Sequence, residues 1–345
     1  MSSPAVLRRV AVLSRVPELI QQLRQAAAHA EHAALGNHCV FEALPTSPDE
    51  LPGTTAPTET YDAIVGDPPL LAHLQPSEWL HDHGFVLSTF AGVDALMASP
   101  AWQAAAPCTY RQQHAAFGQD MAEMAIAAVL AHTRRLYEAH AAQQARRWEG
   151  AALAQYKSLR QCTAAVLGGT GAIGSRVVAT LGALGVPEVR ALGSRPREST
   201  PHSPAWLKYT DNLAQALRGA DLIVNVLPST PATRGLLDDA VFQSEPNSDA
   251  VFVNIGRGSV ISEQALLQWL DTAPARAAAC DVFAAEPLPE RSPLWDHPRC
   301  HITPHIAAVT RATDVAATWQ VVSAQRWAGQ ESESSLAVLD WAAGY

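Results

Sequence analysis

Long apolar runs are missing from this sequence. No stretch reaches the roughly 18 consecutive apolar residues that a membrane-spanning helix requires, so we expect no membrane partner. The apolar run Val10–Leu13 follows Arg8 and Arg9 near the N-terminus, but it is too short for the core of a signal peptide. We interpret this run as part of a first β-strand, and we expect a cytoplasmic protein.

Cysteine and basic residues are scarce as well. The five cysteines are odd in number and form no C-x-x-C pair, which favours a reduced cytosolic protein over a disulfide framework or a metal site. The formal net charge is −9, and the densest basic spots are Arg134-Arg135 and Arg146-Arg147. We interpret both pairs as parts of solvated helix faces, since nucleic-acid binding requires a larger basic cluster.

The sequence does have the length and the apolar content for about two domains, with 345 residues, 48% hydrophobic and 17% charged. Short apolar runs alternate with helical patterns, and this order favours an α/β fold with parallel sheets. The predicted strands are Arg9–Leu13, Tyr61–Val65, Phe85–Thr89, Ala164–Leu167, Glu188–Leu192, Leu222–Val226, Ala250–Asn254 and Ala277–Cys280. Helical spacing predicts helices over Ser175–Leu184 and Glu263–Leu270, and one long helix over Asp120–Trp148.

A glycine-rich loop follows the predicted strand that ends at Leu167. It matches G-x-G-x-x-G through Gly169, Gly171 and Gly174, and a helical pattern follows it. In dinucleotide-binding folds these glycines permit a tight turn, a close approach of the backbone to the pyrophosphate and close helix–strand packing. The phosphates then lie at the positive end of the helix. We therefore predict a dinucleotide site formed by Gly169, Thr170, Gly171, Ala172, Ile173 and Gly174.

The same glycines, counted from Gly168, also fit the G-x-x-G-x-x-G spacing of short-chain dehydrogenases. Enzymes of that class need a Tyr-x-x-x-Lys pair, in which the lysine lowers the pKa of the tyrosine. Lysine occurs only twice in the chain, as Lys157 and Lys208. The residues four positions earlier are Leu153 and Pro204, so that class is rejected.

The end of the next predicted strand indicates which dinucleotide is preferred. An NAD enzyme usually places Asp or Glu there to bind the ribose 2′-hydroxyl, but this chain continues with Ser194, Arg195 and Arg197. These side chains suit a 2′-phosphate, which arginine binds through bidentate charge-assisted contacts. We predict that NADP is preferred and that NAD is possible, although a solvated turn would also explain the arginines.

Four further segments carry a resemblance to a known family. They are Ala91-Gly92-Val93-Asp94, the run 227–235 (LPSTPATRG), the run 253–258 (VNIGRG), and the run 281–289 (DVFAAEPLP) with its continuation to 303–308 (TPHIAA). Over roughly residues 60–345 the chain resembles the D-isomer-specific 2-hydroxyacid dehydrogenases, and it is most similar to their glyoxylate/hydroxypyruvate reductase A subgroup.

The resemblance implies two Rossmann-like or flavodoxin-like domains with parallel sheets, the cofactor domain being inserted into the substrate domain. Residues 1–107 and 308–345 would form the substrate domain, and residues 108–307 the dinucleotide-binding domain. The active site would lie in a cleft whose closure excludes water. The family also implies a homodimer formed through the region Asp120–Trp148.

The family's catalytic residues correspond to Arg257, Glu286 and His305 in this sequence. Reduction of a 2-keto acid requires a hydride on the keto carbon and a proton on its oxygen. Histidine can supply that proton because its ordinary pKa lies near neutrality, and Glu286 would orient the imidazole and favour its charged form. Arg257 would hold the substrate carboxylate and polarise the carbonyl.

Further roles follow from the same resemblance. The backbone at Ala91, Gly92 and Val93 would donate to the substrate carboxylate, and Trp295 would shape the substrate pocket, although core packing would explain a tryptophan equally well. Asp281 would lie near the nicotinamide, with a loop cap as the alternative. The remaining residues that would line the cofactor crevice are Leu227, Pro228, Thr230, Thr233 and Ile255.

The function that the sequence favours is NAD(P)H-dependent reduction of a small 2-keto acid, such as glyoxylate or hydroxypyruvate, to the D-2-hydroxy acid. A second class stays open, because relatives of this family act as dinucleotide-sensing corepressors that bind partners with little turnover. Negligible turnover combined with NAD(P)H binding would distinguish the second class from the first.

Overall fold

Two parallel β-sheets organise the described residues, which are 6–28, 37–47, 57–112, 115–195, 197, 203–238, 240–328 and 337–344 of a computed structural model. The chain divides into two compact units. Unit 1 comprises Met1–Ala116 and Thr310–Tyr345, and unit 2 comprises Phe117–Val309. The assignment of one unit to the substrate and the other to the dinucleotide stays a prediction.

The sheet of unit 1 has the strand order β2-β1-β3-β4-β5, and its strand pairings are parallel. The strands are β1 (Val6–Leu13), β2 (Asn37–Ala43), β3 (Tyr61–Gly66), β4 (Leu80–Ser88) and β5 (Thr109–Tyr110). Alternate side chains of each inner strand enter separate apolar clusters, as Val10 and Ala11 do. The inner strands are apolar with little alternation because both faces of a parallel sheet are covered.

The sheet of unit 2 has the order β12-β11-β10-β9-β6-β7-β8, again with parallel pairings. The strands are β6 (Thr163–Leu167), β7 (Glu188–Leu192), β8 (Leu207–Thr210), β9 (Leu222–Asn225), β10 (Val251–Asn254), β11 (Ala277–Cys280) and β12 (Cys300–Ile302). All four side chains of β9 and of β10 are buried. The carboxyl ends of these strands share one edge of the sheet, where ligands of doubly wound folds bind.

Helices connect the strands in both units. In chain order they are α1 (Leu19–Ala27), α2 (Pro68–Leu71), α3 (Pro76–Trp79), α4 (Asp94–Ala98), α5 (Pro100–Ala105), α6 (Ala115–Thr133), α7 (Leu136–Gln144), α8 (Gly150–Leu153), α9 (Ala172–Ala183), α10 (Leu213–Leu217), α11 (Ala240–Ser244), α12 (Glu263–Thr272) and α13 (Ala312–Ala328). Within the described residues, none of the helices is both long and apolar enough to cross a bilayer.

The prediction of one continuous helix over Asp120–Trp148 is wrong. The helix α6 ends at Thr133, and α7 begins at Leu136 after Arg135, whose backbone adopts a left-handed conformation with φ 55°. The Arg135 guanidinium donates to the carbonyl of Ala152 in α8, so a contact with a third helix accompanies the break. Helical spacing of apolar residues continues across the break, and the sequence pattern therefore did not reveal it.

Candidate active site

The glycine-rich loop lies at the carboxyl end of β6 and leads directly into α9. Gly168 has a left-handed backbone with φ 87°, so the turn itself begins one residue before the predicted motif. A Cβ added at Gly174 would lie 2.1 Å from the carbonyl oxygen of Gly168, which shows how closely helix and loop approach. Gly171 is exposed, and a Cβ added there would make only an ordinary contact, 3.4 Å from the carbonyl oxygen of Gly168. An open backbone at a helix N-terminus fits a dinucleotide pyrophosphate.

The residues predicted to select the dinucleotide follow β7, beside this loop. The Thr170 side chain lies against Gly193, where an added Cβ would be 2.6 Å from the threonine hydroxyl oxygen. Ser194 and Arg195 come next and are exposed. Arg197 is exposed too, and its guanidinium carbon lies 4.6 Å from the centre of the Tyr209 ring. This edge of the site therefore offers cationic groups that are open to solvent.

Two buried asparagines join the ends of β9 and β10, and the sequence analysis assigned them no role. Asn225 Nδ2 donates to Asn254 Oδ1 at 2.8 Å, and both residues are at most 1% exposed. Asn225 Oδ1 accepts from the backbone N–H of Leu227, and Asn254 Oδ1 accepts from that of Gly256. The pair thereby fixes the starts of two loops that carry predicted site residues. The sequence signal that could have revealed this pair is a polar residue at the end of each of two apolar strands.

The loop after β9 contains four of the predicted crevice residues. The hydroxyl of Thr233 donates to the Pro228 carbonyl at 2.5 Å and accepts from the backbone N–H of Thr230 at 2.8 Å. Leu227 is partly buried against the core of unit 2. Ile255, on the neighbouring loop, is buried, and its N–H donates to the carbonyl of Asn225. These contacts hold both loops at the carboxyl edge of the sheet.

Arg257 occupies a closely packed turn after β10. A Cβ added at Gly258 would lie 1.9 Å from the backbone carbon of Phe283, so only glycine fits at this position. The Arg257 side chain is half-buried, and its Nη1 donates to the carbonyl of Gly256 at 2.7 Å. This packing places the backbone next to Arg257 against the segment that leads to Glu286.

Glu286 and His305 lie in direct contact. His305 Nδ1 donates to Glu286 Oε2 at 2.6 Å, and Glu286 Oε1 accepts from the backbone N–H of Phe283 at 2.8 Å. The carboxylate is therefore anchored on its own loop while it orients the imidazole. His305 is exposed, so its Nε2 can reach a ligand. The backbone at His305 is left-handed, with φ 55°.

Asp281 lies at the end of β11 and is 2% exposed. Its carboxylate accepts from the Thr303 hydroxyl at 2.5 Å, from the Ile306 N–H at 2.9 Å and from the Ala307 N–H at 2.8 Å. The Asp281 carbonyl also accepts from the backbone N–H of His305 at 2.9 Å. Asp281 thus fixes both sides of the loop that carries the imidazole, which matches the loop-cap alternative.

Neutral aromatic rings pack where β12 leads into this loop. The rings of Tyr137 and His301 are stacked with centroids 3.4 Å apart, and the His132 ring lies 4.8 Å from that of His301. Burial, with a smaller contribution from His301, lowers the pKa of His132 to about 4. Burial also lowers the pKa of His301. Both imidazoles are therefore held neutral near pH 7 by their surroundings.

The other predicted substrate residues have separate surroundings. Trp295 is 49% exposed, and its Nε1 donates to the carbonyl of Pro289 at 3.0 Å. Ala91, Gly92 and Val93 belong to unit 1, where they follow β4 and precede α4. Among the described residues, no group of three His, Cys, Asp or Glu side chains is arranged to hold a metal ion.

Comparison with known sequences places this site among oxidoreductases. A family model for D-isomer specific 2-hydroxyacid dehydrogenase, NAD binding domain, matches residues 126–307. A protein named glyoxylate/hydroxypyruvate reductase A from Photorhabdus laumondii subsp. laumondii is 35% identical over 260 residues, which cover 74% of this chain and 79% of that protein.

Comparison with solved structures supports the two-domain fold. A D-isomer specific 2-hydroxyacid dehydrogenase from Xanthobacter autotrophicus Py2, solved with NADPH and MES, has a TM-score of 0.78 at 24% identity and covers 98% of this chain and 99% of its own. An NADPH-dependent glyoxylate/hydroxypyruvate reductase from Sinorhizobium meliloti, solved with NADP and sulfate, has a TM-score of 0.77 at 24% identity, with 98% and 100% covered.

Proposed function

The chain belongs to the D-isomer specific 2-hydroxyacid dehydrogenase family, and we propose that it reduces a small 2-keto acid, glyoxylate or hydroxypyruvate, to the D-2-hydroxy acid. Membership makes it an NAD(P)-dependent oxidoreductase. The observation that carries the proposal is the 2.6 Å contact between His305 and Glu286, in the same unit as the glycine-rich loop.

NADP is the dinucleotide that we assign to the site, and NAD is a weaker alternative. The exposed Ser194, Arg195 and Arg197 support this assignment, since no acidic residue stands at the end of β7 to bind a ribose 2′-hydroxyl. Relatives from Xanthobacter and Sinorhizobium were crystallised with NADPH or NADP. The glycine-rich loop and its helix would bind the pyrophosphate, and the loops after β9 and β10 would line the rest of the crevice.

The catalytic step transfers a hydride to the keto carbon and a proton to the keto oxygen. When bound, the reduced dinucleotide supplies the hydride. Because Glu286 engages Nδ1 of His305, the opposite nitrogen, Nε2, is the one that donates the proton. Glu286 keeps the imidazole in the tautomer and orientation that present Nε2 to the keto oxygen.

Binding of the substrate carboxylate is assigned to Arg257 and to backbone N–H groups of Ala91, Gly92 and Val93. A guanidinium keeps its charge at all relevant pH values and can bind a carboxylate bidentately while polarising the adjacent carbonyl. Asp281 would hold the His305 loop in place beside the nicotinamide. Trp295 would contribute to the wall of the substrate pocket.

We also propose that the chain forms a homodimer through the region Asp120–Trp148. Trp148 is 100% exposed and Leu136 is 54% exposed in the single chain, which is costly for large apolar side chains in water. Trp148→Glu should shift the mass measured by light scattering toward the monomer. The matched variant Leu7→Glu, at a side chain 60% exposed in unit 1, should leave the mass unchanged.

Oxidation of NADPH and of NADH, followed by absorbance, tests the proposed function. The keto acids are glyoxylate, hydroxypyruvate, pyruvate, phenylpyruvate and 2-ketoisocaproate. Turnover of the first two with NADPH would support the proposal. Preference for a bulky keto acid would retain the mechanism and change the substrate. No turnover despite tight NADPH binding would reject the reductase and favour a sensing role.

A further inference from the structure

An arginine stands at the point of unit 1 where a parallel sheet offers a binding crevice. The strand order β2-β1-β3 means that the chain leaves β1 toward one side and later returns on the other. In open α/β sheets, ligands bind outside the carboxyl ends of the strands at such a reversal. Arg15 follows the end of β1, and Asp67 follows the end of β3, so the two flank this crevice.

A buried carboxylate connects this crevice with the segment that we assign to the substrate. Asp67 is 4% exposed and accepts from the backbone N–H of Arg15 at 2.8 Å and from the hydroxyl of Thr89 at 2.6 Å. Thr89 lies two residues before Ala91 along the chain. One carboxylate therefore contacts both the residue after β1 and the start of the loop that contains Ala91, Gly92 and Val93.

The Arg15 guanidinium is exposed and keeps donors available. Its Nη2 donates to the carbonyl of Thr46 at 3.1 Å, a neutral acceptor that follows β2. Within the part of the chain that the structure describes, no carboxylate forms an ion pair with this guanidinium. Since arginine has five N–H donors in a rigid fork, most remain available to bind an anion bidentately.

We propose that Arg15 binds a second anionic group at the far end of the substrate, so that the preferred substrates include 2-keto acids with a distal carboxylate. This inference rests on the proposed function, because it takes Ala91, Gly92 and Val93 as the site of the first carboxylate. The loops after β1 and β4 are two strand spacings apart, about 10 Å. Arg15 contacts the carbonyl of Thr46, which follows β2 on the other side of β1. The exposed guanidinium therefore has to leave this neutral acceptor and turn towards β3, so that the arginine side chain and a keto diacid of several carbons together extend over this distance.

The test compares two keto acids of equal length, 2-oxoglutarate and 2-oxopentanoate, which differ only in a terminal carboxylate or methyl group. We expect kcat/KM with NADPH to favour 2-oxoglutarate by about 10- to 100-fold, the effect of one charge-assisted contact. Arg15→Met should bring the ratio close to one. Arg24→Met is the matched control, because Arg24 in α1 also donates from Nη2 to a backbone carbonyl, that of Phe41.

Each outcome decides between the two proposals. The role of Arg15 would be overturned if the wild-type protein had equal kcat/KM for the two keto acids, or if its preference for 2-oxoglutarate survived Arg15→Met. In either case, turnover of 2-oxopentanoate would still support the proposed reductase function. If no keto acid is reduced, the proposed function fails, and calorimetric titration of the NADPH-bound protein with 2-oxoglutarate then decides the role of Arg15. Equal affinity in the wild type and Arg15→Met would reject it, and a loss of 10-fold or more would support it.

Discussion

The two units use the same device at the carboxyl edges of their sheets, a buried aspartate that joins loops from neighbouring strands. In unit 1, Asp67 holds the loop after β1 and the end of β4. In unit 2, Asp281 holds the loop after β12. Asp67 fixes an arginine and backbone donors, whereas Asp281 fixes an imidazole. The comparison teaches that one arrangement, a buried carboxylate that accepts from neighbouring loops, can position different side chains in the two units: an arginine in unit 1 and an imidazole in unit 2.

The largest expected effect is a loss of kcat without a loss of NADPH affinity, caused by substitutions at His305 and Glu286 in unit 2. His305→Ala should lower kcat by about 10²- to 10⁴-fold, since it removes the proton donor. Glu286→Gln should lower kcat less, because an amide oxygen can still accept a hydrogen bond from Nδ1, although it orients the imidazole less firmly than a carboxylate does. Equilibrium titration of NADPH should give wild-type affinity for both variants. Near-wild-type turnover of His305→Ala would reject its assignment as donor.

The two buried aspartates can be compared directly by the same substitution. In Asp281→Asn the new amide donor faces a backbone N–H in either orientation, at Ile306 or at Ala307, which should destabilise the protein by about 1–3 kcal/mol. In Asp67→Asn the amide oxygen can still accept from the Arg15 N–H while the amide group turns to the hydroxyls of Ser14 and Thr89, so the loss of stability should be smaller. Asp281→Asn should lower mainly kcat, whereas Asp67→Asn should raise mainly KM. Steady-state kinetics and thermal melts measure both effects. An equal loss of kcat in Asp67→Asn and Asp281→Asn would contradict the assignment of substrate binding to the Asp67 loops and of the chemical step to the Asp281 loop.

A smaller effect concerns the dinucleotide edge of unit 2. Arg195→Ala should raise KM for NADPH by about 10- to 100-fold more than KM for NADH, because only NADPH carries the 2′-phosphate. Arg218→Ala is the control, since Arg218 is also exposed but pairs with Glu245. Equal losses for both dinucleotides would show that Arg195 does not bind the 2′-phosphate.

Lowering the pH should destabilise unit 2 more than unit 1. The pKa of His132 in unit 2 is lowered to about 4 by burial, whereas an unfolded histidine titrates near 6.5. Between these values the unfolded chain binds a proton that the folded chain does not, so stability falls as the pH is lowered through this window and levels off below it. The loss should be roughly 3 kcal/mol.

Hydrogen exchange at pH 7 and pH 4.5 would localise this loss, which should be larger in unit 2 than in unit 1. His132→Phe should reduce the difference between the units in acid-induced loss of stability, because phenylalanine also fills the site with an aromatic ring but does not titrate. Unchanged pH dependence in His132→Phe would assign the acid sensitivity to another group.

The family and the parallel sheets were predictable because they depend on short local patterns. Apolar strands, the glycine loop and the runs around Arg257 and His305 are continuous in the sequence, and the predicted fold and family are confirmed. The contacts that position the site were not predictable. The partners of Asp67 are up to 53 residues away along the chain, and those of Asp281 up to 26 residues away.

Errors in secondary structure have similar causes. Four strands were not predicted: β2, β5, β8 and β12. The strands β5 and β12 have only two and three residues, and β8 alternates polar residues, so pairing with the neighbouring strands defines these three. The break between α6 and α7 depends on the single left-handed residue Arg135, which apolar spacing does not reveal. Contacts with residues far away along the chain determine where these strands form and where the helix breaks, and a local sequence pattern contains no information about such contacts.

The left-handed backbone at His305 implies a trade-off between stability and activity. A side chain in this conformation costs about 1 kcal/mol or more relative to glycine, which adopts it freely. His305→Gly should therefore melt at a higher temperature than His305→Ala, although neither can transfer the proton. The position that we propose for the proton donor is thus one at which selection for greater thermal stability would act against the reaction itself.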